Sequence, residues 1–292
     1  MNNIEFIDYT SLSAYMRCPR QYWWRHIKHI DIIGNKNALI NGSAYHDTLS
    51  HYYKMKLEGK NHEDALLLSL MGLPKLMESI NMETDNSQKY SVSVAVDTIN
   101  NYFERWKDEP YKTLNTEIGF AIDVGNCSFI GKIDRYIESD FGKMILETKT
   151  TTIVGNRWDR RLKPNLQIDG YVSAIFITTG EMPYGAVLDI IPIHEDKKKR
   201  QQPFRFITTR TEQDVENWLV VVQQWIKKIN FDVEQEFFPM NTDTCTPLLG
   251  FECSFTTLCS KYNNPHKIKN IELTGDFCIN PWAPFDLLCL QK

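Results

Sequence analysis

The stretch Phe129–Thr152 constrains the fold of this chain most strongly, because its pattern predicts a β-hairpin that gathers charged side chains. Apolar residues crowd both of its halves, and the sequence SDFG at 139–142 between them is a hairpin turn signal. Adjacent antiparallel strands would bring Asp134 and Glu147 to one point, and the alternation of side chains would put Glu147 and Lys149 on one face. Two carboxylates and an ammonium group in one place suit a divalent cation and a positioned nucleophile.

The sequence around this hairpin predicts helices before it and a mixture of strands and helices after it. We expect helices within 9–30 and at 43–57, 61–79, 87–107, 164–179 and 212–228, and strands at 117–124, 127–138, 143–150, 184–192 and 204–209. Helices that feed a short mixed sheet indicate an α/β or mixed α+β fold. We expect one domain over 1–292, with a mainly helical part at 1–110, a core at 111–231 and a cysteine-rich tail at 232–292.

The charge balance restricts how this chain would contact nucleic acid. With 33 Lys and Arg against 37 Asp and Glu, its formal net charge is -4. Proteins that bind nucleic acid over a broad surface carry excess cations that displace counterions from phosphates, so any such contact here would be local. The run KKKR at 197–200 is usually a solvated turn between strands, and a phosphate-contacting loop is the alternative.

Neither a membrane span nor a secretion signal is visible in the sequence. No apolar run approaches the roughly 20 residues that a membrane helix needs, and the first thirty residues lack both a basic start and an apolar core. We therefore expect a cytoplasmic protein without a membrane partner. In such a reducing compartment, the seven cysteines favour metal ligands or small core residues over a disulfide framework.

Each candidate motif is weak by itself, because a Glu-x-Lys triplet is expected by chance about once in a chain of this size. An isolated histidine on a helix, such as His46, is more often a core or surface residue than a ligand. Five motifs nevertheless follow one another here: GSAYH at 42–46, TEIGF at 116–120, GKIDR at 131–135, ETK at 147–149 and QIDGY at 167–171.

Together these motifs resemble the RecB-like branch of the PD-(D/E)xK nuclease superfamily. In that branch a helical G-x-x-x-H, a strand Asp, an E-x-K and a helical Q-x-x-x-Y occur in the same order. The opening stretch 9–27 also resembles the N-terminal signature of the family, a short helix followed by Cys-Pro and an aromatic, basic helix. The likeness therefore covers much of the chain and implies a restriction-endonuclease-like core.

The resemblance implies a metal site that uses Mg²⁺ or Mn²⁺. His46, Asp134 and Glu147 would bind the ion, and the carbonyl oxygen of Thr148 would add a ligand. Oxygen ligands suit magnesium, and an imidazole ligand suits manganese as well. Lys149 would be the catalytic lysine, which orients the attacking water or offsets the developing negative charge.

The resemblance also implies a DNA substrate. Gln167 and Tyr171 would lie near the DNA, since residues four apart share one face of a helix. Glu117 matches less specifically, and it stays open between a catalytic carboxylate and a charge at a strand edge. The implied function is a deoxyribonuclease, an exonuclease of recombination, repair or phage-like DNA metabolism that works with a helicase or recombinase partner. The alternative is a non-catalytic DNA-binding or assembly subunit that keeps the nuclease fold.

The tail gives a second metal-site expectation. The sequence FPMNTDTCTPLLGFECSFTTLC at 238–259 resembles the cysteine-rich tail of family members that carry a [4Fe–4S] cluster, among CRISPR-associated and phage-type RecB-like exonucleases. By this resemblance Cys18, Cys245, Cys253 and Cys259 would bind the cluster. Four thiolates also suit a structural Zn²⁺ ion, and reduced structural cysteines are the other alternative. Cys278 is a substitute candidate for one of the four ligands.

Overall fold

The computed structural model describes residues 3–34, 36–82, 88–153, 158–246, 252–262, 265–268 and 271–283 of the chain. The described residues form two compact units, and both units are discontinuous in sequence. The first unit draws on Met1–Gly34, Phe120–Gly131 and Glu216–Cys289, and the second draws on Asn35–Gly119 and Lys132–Val215. The expectation of a single domain with three parts remains a prediction.

Runs of helices and runs of strands follow one another along the chain. The strands are β1 (Phe6–Ile7), β2 (Ile30–Ile32), β3 (Lys112–Asp123), β4 (Ser128–Ser139), β5 (Gly142–Thr151), β6 (Gly185–Pro192), β7 (Phe204–Thr209) and β8 (Phe277–Ile279). The α-helices are α1 (Tyr9–Arg17), α2 (Pro19–Tyr22), α3 (Asn37–Leu57), α4 (His62–Leu76), α5 (Val92–Arg105), α6 (Leu166–Thr179), α7 (Glu212–Glu234) and α8 (Thr256–Lys261). A π-helical turn follows α2 at Trp23–Ile27, and short 3₁₀ turns lie at Asp159–Arg161, Thr242–Thr244 and Pro265–Lys267.

A mixed sheet lies in the second unit. β4 and β5 form the predicted antiparallel hairpin, in which Arg135 pairs with Leu146 and Ser139 pairs with Gly142 across the turn. β5 runs parallel to β6, and β6 runs antiparallel to β7. Every residue of β6 is buried, which is typical of a strand that is covered on both faces. The mixed sheet and its helices confirm the predicted α/β class.

The helices of the second unit gather a hydrophobic core of their own. Buried apolar side chains of α3, α4 and α5 pack together with Ile191 and Ile193, which lie at and just beyond the end of β6. Asn61 begins α4 and Ser91 begins α5, and each side chain accepts a hydrogen bond from the backbone N–H three residues later. α3 and α6 contact β5, and α5 contacts β6. The strand that carries Glu147 is therefore held between two helices that carry candidate site residues.

The first unit is built on buried aromatic side chains. Trp23, Trp24, Phe238 and Phe255 are all at most 1% exposed. The side chain of Arg20 donates to the carbonyl oxygen of Phe238 at 2.7 Å, so α2 is tied to the segment that follows α7. β1 pairs in parallel with the start of β4, and β2 pairs antiparallel with β8. Burial of rings of this size dominates the stabilisation of such a core.

Several boundaries differ from the predicted ones. The helix predicted at 43–57 begins earlier, at Asn37, and the helix predicted at 212–228 continues to Glu234. The stretch 9–30 holds three short helical pieces and the start of β2 instead of two helices. Within the described ranges, no helix combines the length and the hydropathy that are needed to cross a bilayer.

Candidate active site

Asp134 lies where β4, β5 and α3 meet. Its Oδ1 atom lies 3.2 Å from Nδ1 of His46, and its Oδ2 atom accepts a hydrogen bond from the backbone N–H of Thr148 at 2.8 Å. Burial raises the pKa of the Asp134 carboxyl, but His46, the Thr148 N–H and Lys149 outweigh that effect and lower the pKa overall. Asp134 is therefore a carboxylate at neutral pH, and His46 and the Thr148 N–H hold its two oxygens in place.

His46 is the partner that α3 contributes. Burial lowers the pKa of its imidazole, but the charge and the hydrogen bond of Asp134, with a smaller contribution from Glu147, raise the pKa to about 9. His46 and Asp134 thus form an ion pair that joins α3 to β4. The sequence placed both residues in one site, and the structure brings them into direct contact.

Glu147 and Lys149 occupy the same face of β5, as the alternation of side chains predicted. The Lys149 ammonium contacts Oε1 of Glu147. Burial and the neighbouring Asp134 raise the pKa of the Glu147 carboxyl, Lys149 and His46 oppose them, and the net pKa is about 7. The other carboxylate oxygen, Oε2, is buried and has no hydrogen-bond partner among the described residues.

α6 directs Gln167 at this carboxylate and lysine. The Nε2 atom of Gln167 donates to Oε1 of Glu147 at 2.9 Å and to the hydroxyl of Tyr171 at 3.0 Å. Its Oε1 atom accepts from Lys149 at 3.1 Å. Asn165 caps the helix, because its side chain accepts from the backbone N–H of Gln167 at 3.1 Å. The predicted pair Gln167 and Tyr171 is therefore in contact, and it belongs to the same cluster as Glu147.

Glu117 occupies β3 with a backbone φ of 52°, a left-handed conformation that is uncommon outside glycine. Glu117 is 7% exposed, and its carboxylate contacts the ammonium group of Lys132. Glu117 lines a small cavity together with His46, Asp134 and Thr148. Sequence reasoning missed Lys132 as its partner, although the two-residue spacing between Lys132 and Asp134 puts both side chains on one face of β4.

The four cysteines of the predicted cluster all lie in the first unit. Burial raises the pKa of the Cys245 thiol, and the neighbouring Cys18 and Cys253 raise it further. Burial, Cys18 and Cys253 raise the pKa of Cys259 in the same way. Cys245 and Cys253 are joined through their backbones, since the N–H of Cys253 donates to the carbonyl oxygen of Cys245 at 2.8 Å, and the six described cysteines are free thiols.

Two of these sulfur atoms accept hydrogen bonds. The backbone N–H of Asn241 donates to Sγ of Cys18 at 3.4 Å, and the indole N–H of Trp24 donates to Sγ of Cys259 at 3.3 Å. Such donors stabilise negative charge on sulfur. Cys278, the substitute candidate, lies on β8 opposite Asp31.

Comparison with known proteins identifies the family. Residues 8–260 match the profile of the PD-(D/E)XK nuclease superfamily. The chain belongs to this superfamily. The match confirms the resemblance seen in the sequence motifs, and it supports a nuclease. No curated protein sequence matches the chain.

A solved structure of another protein resembles this chain in fold. A protein from Eubacterium rectale that is described as a candidate exonuclease is similar over 87% of this chain and 92% of its own length, with a TM-score of 0.51 and 14% sequence identity. The protein SSO0001 is similar over 80% of this chain and 87% of its own length, with a TM-score of 0.30 and 10% identity. The likeness to the Eubacterium rectale protein shows a shared fold and nothing more.

The carboxylate site of this nuclease fits a divalent cation in its chemistry, and nucleases of this superfamily generally use such ions. The buried Oε2 atom of Glu147 lacks a hydrogen-bond partner among the described residues, which costs about 1 to 3 kcal/mol unless a donor or a cation reaches it. In the part of the chain that the structure describes, no three His, Cys, Asp or Glu side chains meet the geometry of a metal site. Metal binding at either cluster is therefore a proposal.

Proposed function

We propose that this protein is a deoxyribonuclease that depends on Mg²⁺ or Mn²⁺ and hydrolyses phosphodiester bonds. One observation carries the proposal: the buried Oε2 atom of Glu147, which has no hydrogen-bond partner among the described residues, lies on the carboxylate whose other oxygen contacts Lys149 and Gln167. A buried carboxylate oxygen without a donor suits a cation. The membership of the nuclease superfamily over residues 8–260 gives the reaction class.

Each residue of the site has a separate role in this proposal. Asp134, Glu147 and His46, with the carbonyl oxygen of Thr148, would hold the ion, and His46 would release its proton when the ion binds, because only a neutral imidazole ligates a metal. When bound, Mg²⁺ or Mn²⁺ supplies positive charge that polarises phosphoryl oxygens and lowers the pKa of water. Lys149 would orient the attacking water and offset negative charge that develops on the phosphate.

The remaining site residues would place the substrate and the catalytic groups. Gln167 holds Lys149 and Glu147 through its amide, so both groups keep one orientation. Tyr171, one turn later on α6, would face the DNA with Gln167. Glu117, whose carboxylate Lys132 contacts, would add negative charge at the wall of the same cavity.

We further propose exonuclease action in recombination, repair or phage-like DNA metabolism in the cytoplasm, with a helicase or recombinase as the partner. The sequence motifs of the RecB-like branch support this role. The fold of the Eubacterium rectale protein, which is described as a candidate exonuclease, agrees with it.

A digestion assay tests the proposed activity. End-labelled linear DNA and circular DNA are incubated with the purified protein and Mg²⁺ or Mn²⁺. We expect the linear DNA to be degraded and the circles to resist, whereas cutting of circles would show endonuclease action. Binding of DNA without turnover in any divalent metal would favour the non-catalytic alternative.

Two variants of β5 connect this activity to the site. We expect Glu147→Ala and Lys149→Ala to lower the rate at least about a hundredfold, as the loss of one charge-stabilising group does in other enzymes. The exposed pair of Lys143 and Glu181, whose charged atoms lie 2.6 Å apart, provides the matched controls Lys143→Ala and Glu181→Ala. Undiminished cutting by both β5 variants would contradict the assignment.

We also propose that Cys18, Cys245, Cys253 and Cys259 bind a [4Fe–4S] cluster. The backbone hydrogen bond between Cys253 and Cys245 and the N–H donors to the sulfur atoms of Cys18 and Cys259 support this assignment. A cluster held by residues from both ends of the chain would tie α1 and α2 to the tail within the first unit.

Anaerobic purification tests the cluster. We expect brown protein with close to four iron atoms per chain, and Cys259→Ser is expected to lose most of that iron. Cys278→Ser is the control, and loss of iron from it would make Cys278 the fourth ligand. Bound zinc without iron would replace the cluster with a structural zinc site.

A further inference from the structure

The segment between β5 and α6 carries an unusual concentration of positive charge. Within 158–163 the sequence WDRRLK has three basic residues against one acidic residue, although the whole chain has a net charge of -4. Arg160 and Arg161 are exposed, and neither forms an ion pair with any described residue. Lys163, in contrast, is paired with Asp214 at 2.7 Å. Two arginines are therefore the uncompensated cations of this segment.

Three of the four charges of the basic run at 197–200 are compensated locally. Lys197 pairs with Asp97 at 2.8 Å, and Lys199 lies 3.9 Å from Asp196. The side chain of Arg200 donates to the carbonyl oxygen of His194 at 2.8 Å. Of the two runs, only the one at 158–163 presents two adjacent charges that are exposed and unpaired within the described residues.

Hydrogen bonds hold the backbone of this segment, so the main-chain positions of the two arginines are fixed. The Arg210 guanidinium is 1% exposed and donates to the carbonyl oxygen of Leu162 at 2.6 Å. The same guanidinium pairs with Asp169 on α6 and bonds Thr208 at 2.7 Å. Asn165 donates to the carbonyl oxygen of Arg161 at 2.8 Å. A segment that is held at successive residues presents its charges with less entropy to lose on binding.

The segment is joined directly to the candidate active site. Asn165 donates to the carbonyl oxygen of Arg161 and accepts from the backbone N–H of Gln167, so two hydrogen bonds separate these residues. The side chain of Gln167 in turn contacts Glu147 and Lys149. The two arginines therefore lie just before the helix α6, whose Gln167 contacts Glu147 and Lys149.

The geometry points to Trp158–Lys163 as the surface that binds the phosphodiester backbone of the DNA strand being cut, an inference that rests on the proposed nuclease function. The Arg161 guanidinium lies over the ring of Trp158 at 5.0 Å, and a guanidinium stacked on a ring face keeps its edge N–H groups free to donate. Arginine edges bind phosphate oxygens through paired hydrogen bonds. Arg160 and Arg161 would each contact one phosphate, so the segment would hold the strand across the cluster.

Binding of a fluorescein-labelled single-stranded oligonucleotide, measured by anisotropy in Ca²⁺ at several salt concentrations, tests this surface. Each phosphate contact to a single strand contributes roughly 0.7 to the slope of log K against log salt. We expect Arg160→Ala/Arg161→Ala to weaken binding and to reduce the magnitude of that slope by about 1.4. In Mg²⁺ cutting assays, KM is expected to rise by the same factor as Kd.

The matched control removes the same charge from the other basic run. Lys198→Ala/Lys199→Ala is expected to keep the wild-type Kd and salt slope. Equal losses in both double variants would indicate a general charge effect and would overturn the inference, as would an unchanged slope for the arginine variant. Binding is measured apart from cutting, so wild-type protein that binds but does not cut would contradict the nuclease function and leave this surface intact.

Discussion

Gln167 donates a hydrogen bond from Nε2 to Oε1 of Glu147 at 2.9 Å, and that oxygen also contacts Lys149. One amide thus donates to the carboxylate and accepts from the lysine. Gln167→Leu keeps the approximate shape of the side chain but removes both contacts. We expect this variant to lower the single-turnover rate constant of DNA cutting roughly 10- to 100-fold, the usual effect of losing a group that orients catalytic residues.

A second substitution at the same position separates orientation from charge. Gln167→Glu would place another carboxylate beside Glu147, where the repulsion of like charges would cause a larger loss than Gln167→Leu. Gln224→Leu changes an exposed glutamine of α7 and serves as the control, with full activity expected. If Gln167→Leu cuts DNA at the wild-type rate, Gln167 has no role in orienting Glu147 and Lys149.

His46 is the residue that α3 contributes to the proposed ligand set, and its Nδ1 atom lies 3.2 Å from Oδ1 of Asp134. We expect His46→Ala to raise the Mn²⁺ or Mg²⁺ concentration for half-maximal cutting at least about tenfold. His51→Ala replaces an exposed histidine on the same helix and is expected to keep the wild-type metal requirement. Equal metal titration curves for both variants would exclude His46 as a ligand.

The sequence predicted the fold best where the pattern is local. The hairpin of β4 and β5 follows from a turn signal and an alternating pattern, and both lie within about twenty residues of sequence. The start of α3 was missed because Asn37 and Asn41 are polar residues at buried positions, which interrupts the apolar period. Asn37 is compensated by Asn81, to whose carbonyl oxygen it donates at 2.7 Å. Such a distant partner is invisible in a helical pattern.

The end of α7 was missed for a different reason. The predicted helix ended at Lys228, but Ile229 and Val233 are 0% and 1% exposed and continue the buried face. The apolar residues beyond Lys228 keep the helical spacing, and their burial extends the helix to Glu234. Burial of an apolar face, rather than terminal charge, sets helix length here.

The candidate site was predictable to the extent that strand alternation defines it. Glu147 and Lys149 share a face of β5 because side chains alternate along a strand. The contact of Glu117 with Lys132 was not predictable, since it depends on a backbone φ of 52° at Glu117. No sequence signal specifies a left-handed glutamate inside a strand, so this partner appears only in the folded chain.

A buried charge network in the second unit gives a prediction about stability. Asp189 is 0% exposed, its Oδ2 atom accepts from the hydroxyl of Tyr102 at 2.6 Å, and it pairs with Arg205 at 3.0 Å. Asp189→Ala would leave the buried Arg205 with Glu109 as its remaining carboxylate partner, so we expect the free energy of unfolding to fall by about 3 kcal/mol, the lower end of the range for a broken buried ion pair. Urea denaturation followed by circular dichroism measures this change.

The exposed pair of Lys197 and Asp97 is the control for that experiment. Asp97→Ala is expected to change the free energy of unfolding by less than about 1 kcal/mol, because solvent screens an exposed ion pair. Similar losses for Asp97→Ala and Asp189→Ala would mean that burial of the Asp189 network does not control its contribution.

His26 gives a prediction about pH that is independent of the candidate nuclease site. Both of its ring nitrogens are buried without a hydrogen-bond partner among the described residues. Burial, reinforced by the charges of Arg25 and His29, lowers its pKa from 6.5 to about 4. Between these values the unfolded chain binds a proton that the folded chain excludes. Stability is therefore complete above pH 6.5 and falls as the pH decreases toward about 4.

We expect this histidine to cost the folded state up to about 3 kcal/mol on acidification, since each pKa unit is worth about 1.4 kcal/mol. His26→Phe keeps the ring that stacks on Tyr22, with centroids 5.2 Å apart, but it has no group to protonate. Urea denaturation from pH 7 to pH 4.5 should therefore show a smaller loss of stability in His26→Phe than in the wild type, whereas the exposed His51→Phe should follow the wild type. Parallel curves for His26→Phe and the wild type would show that His26 is protonated in the folded protein at no cost, in contradiction to its burial.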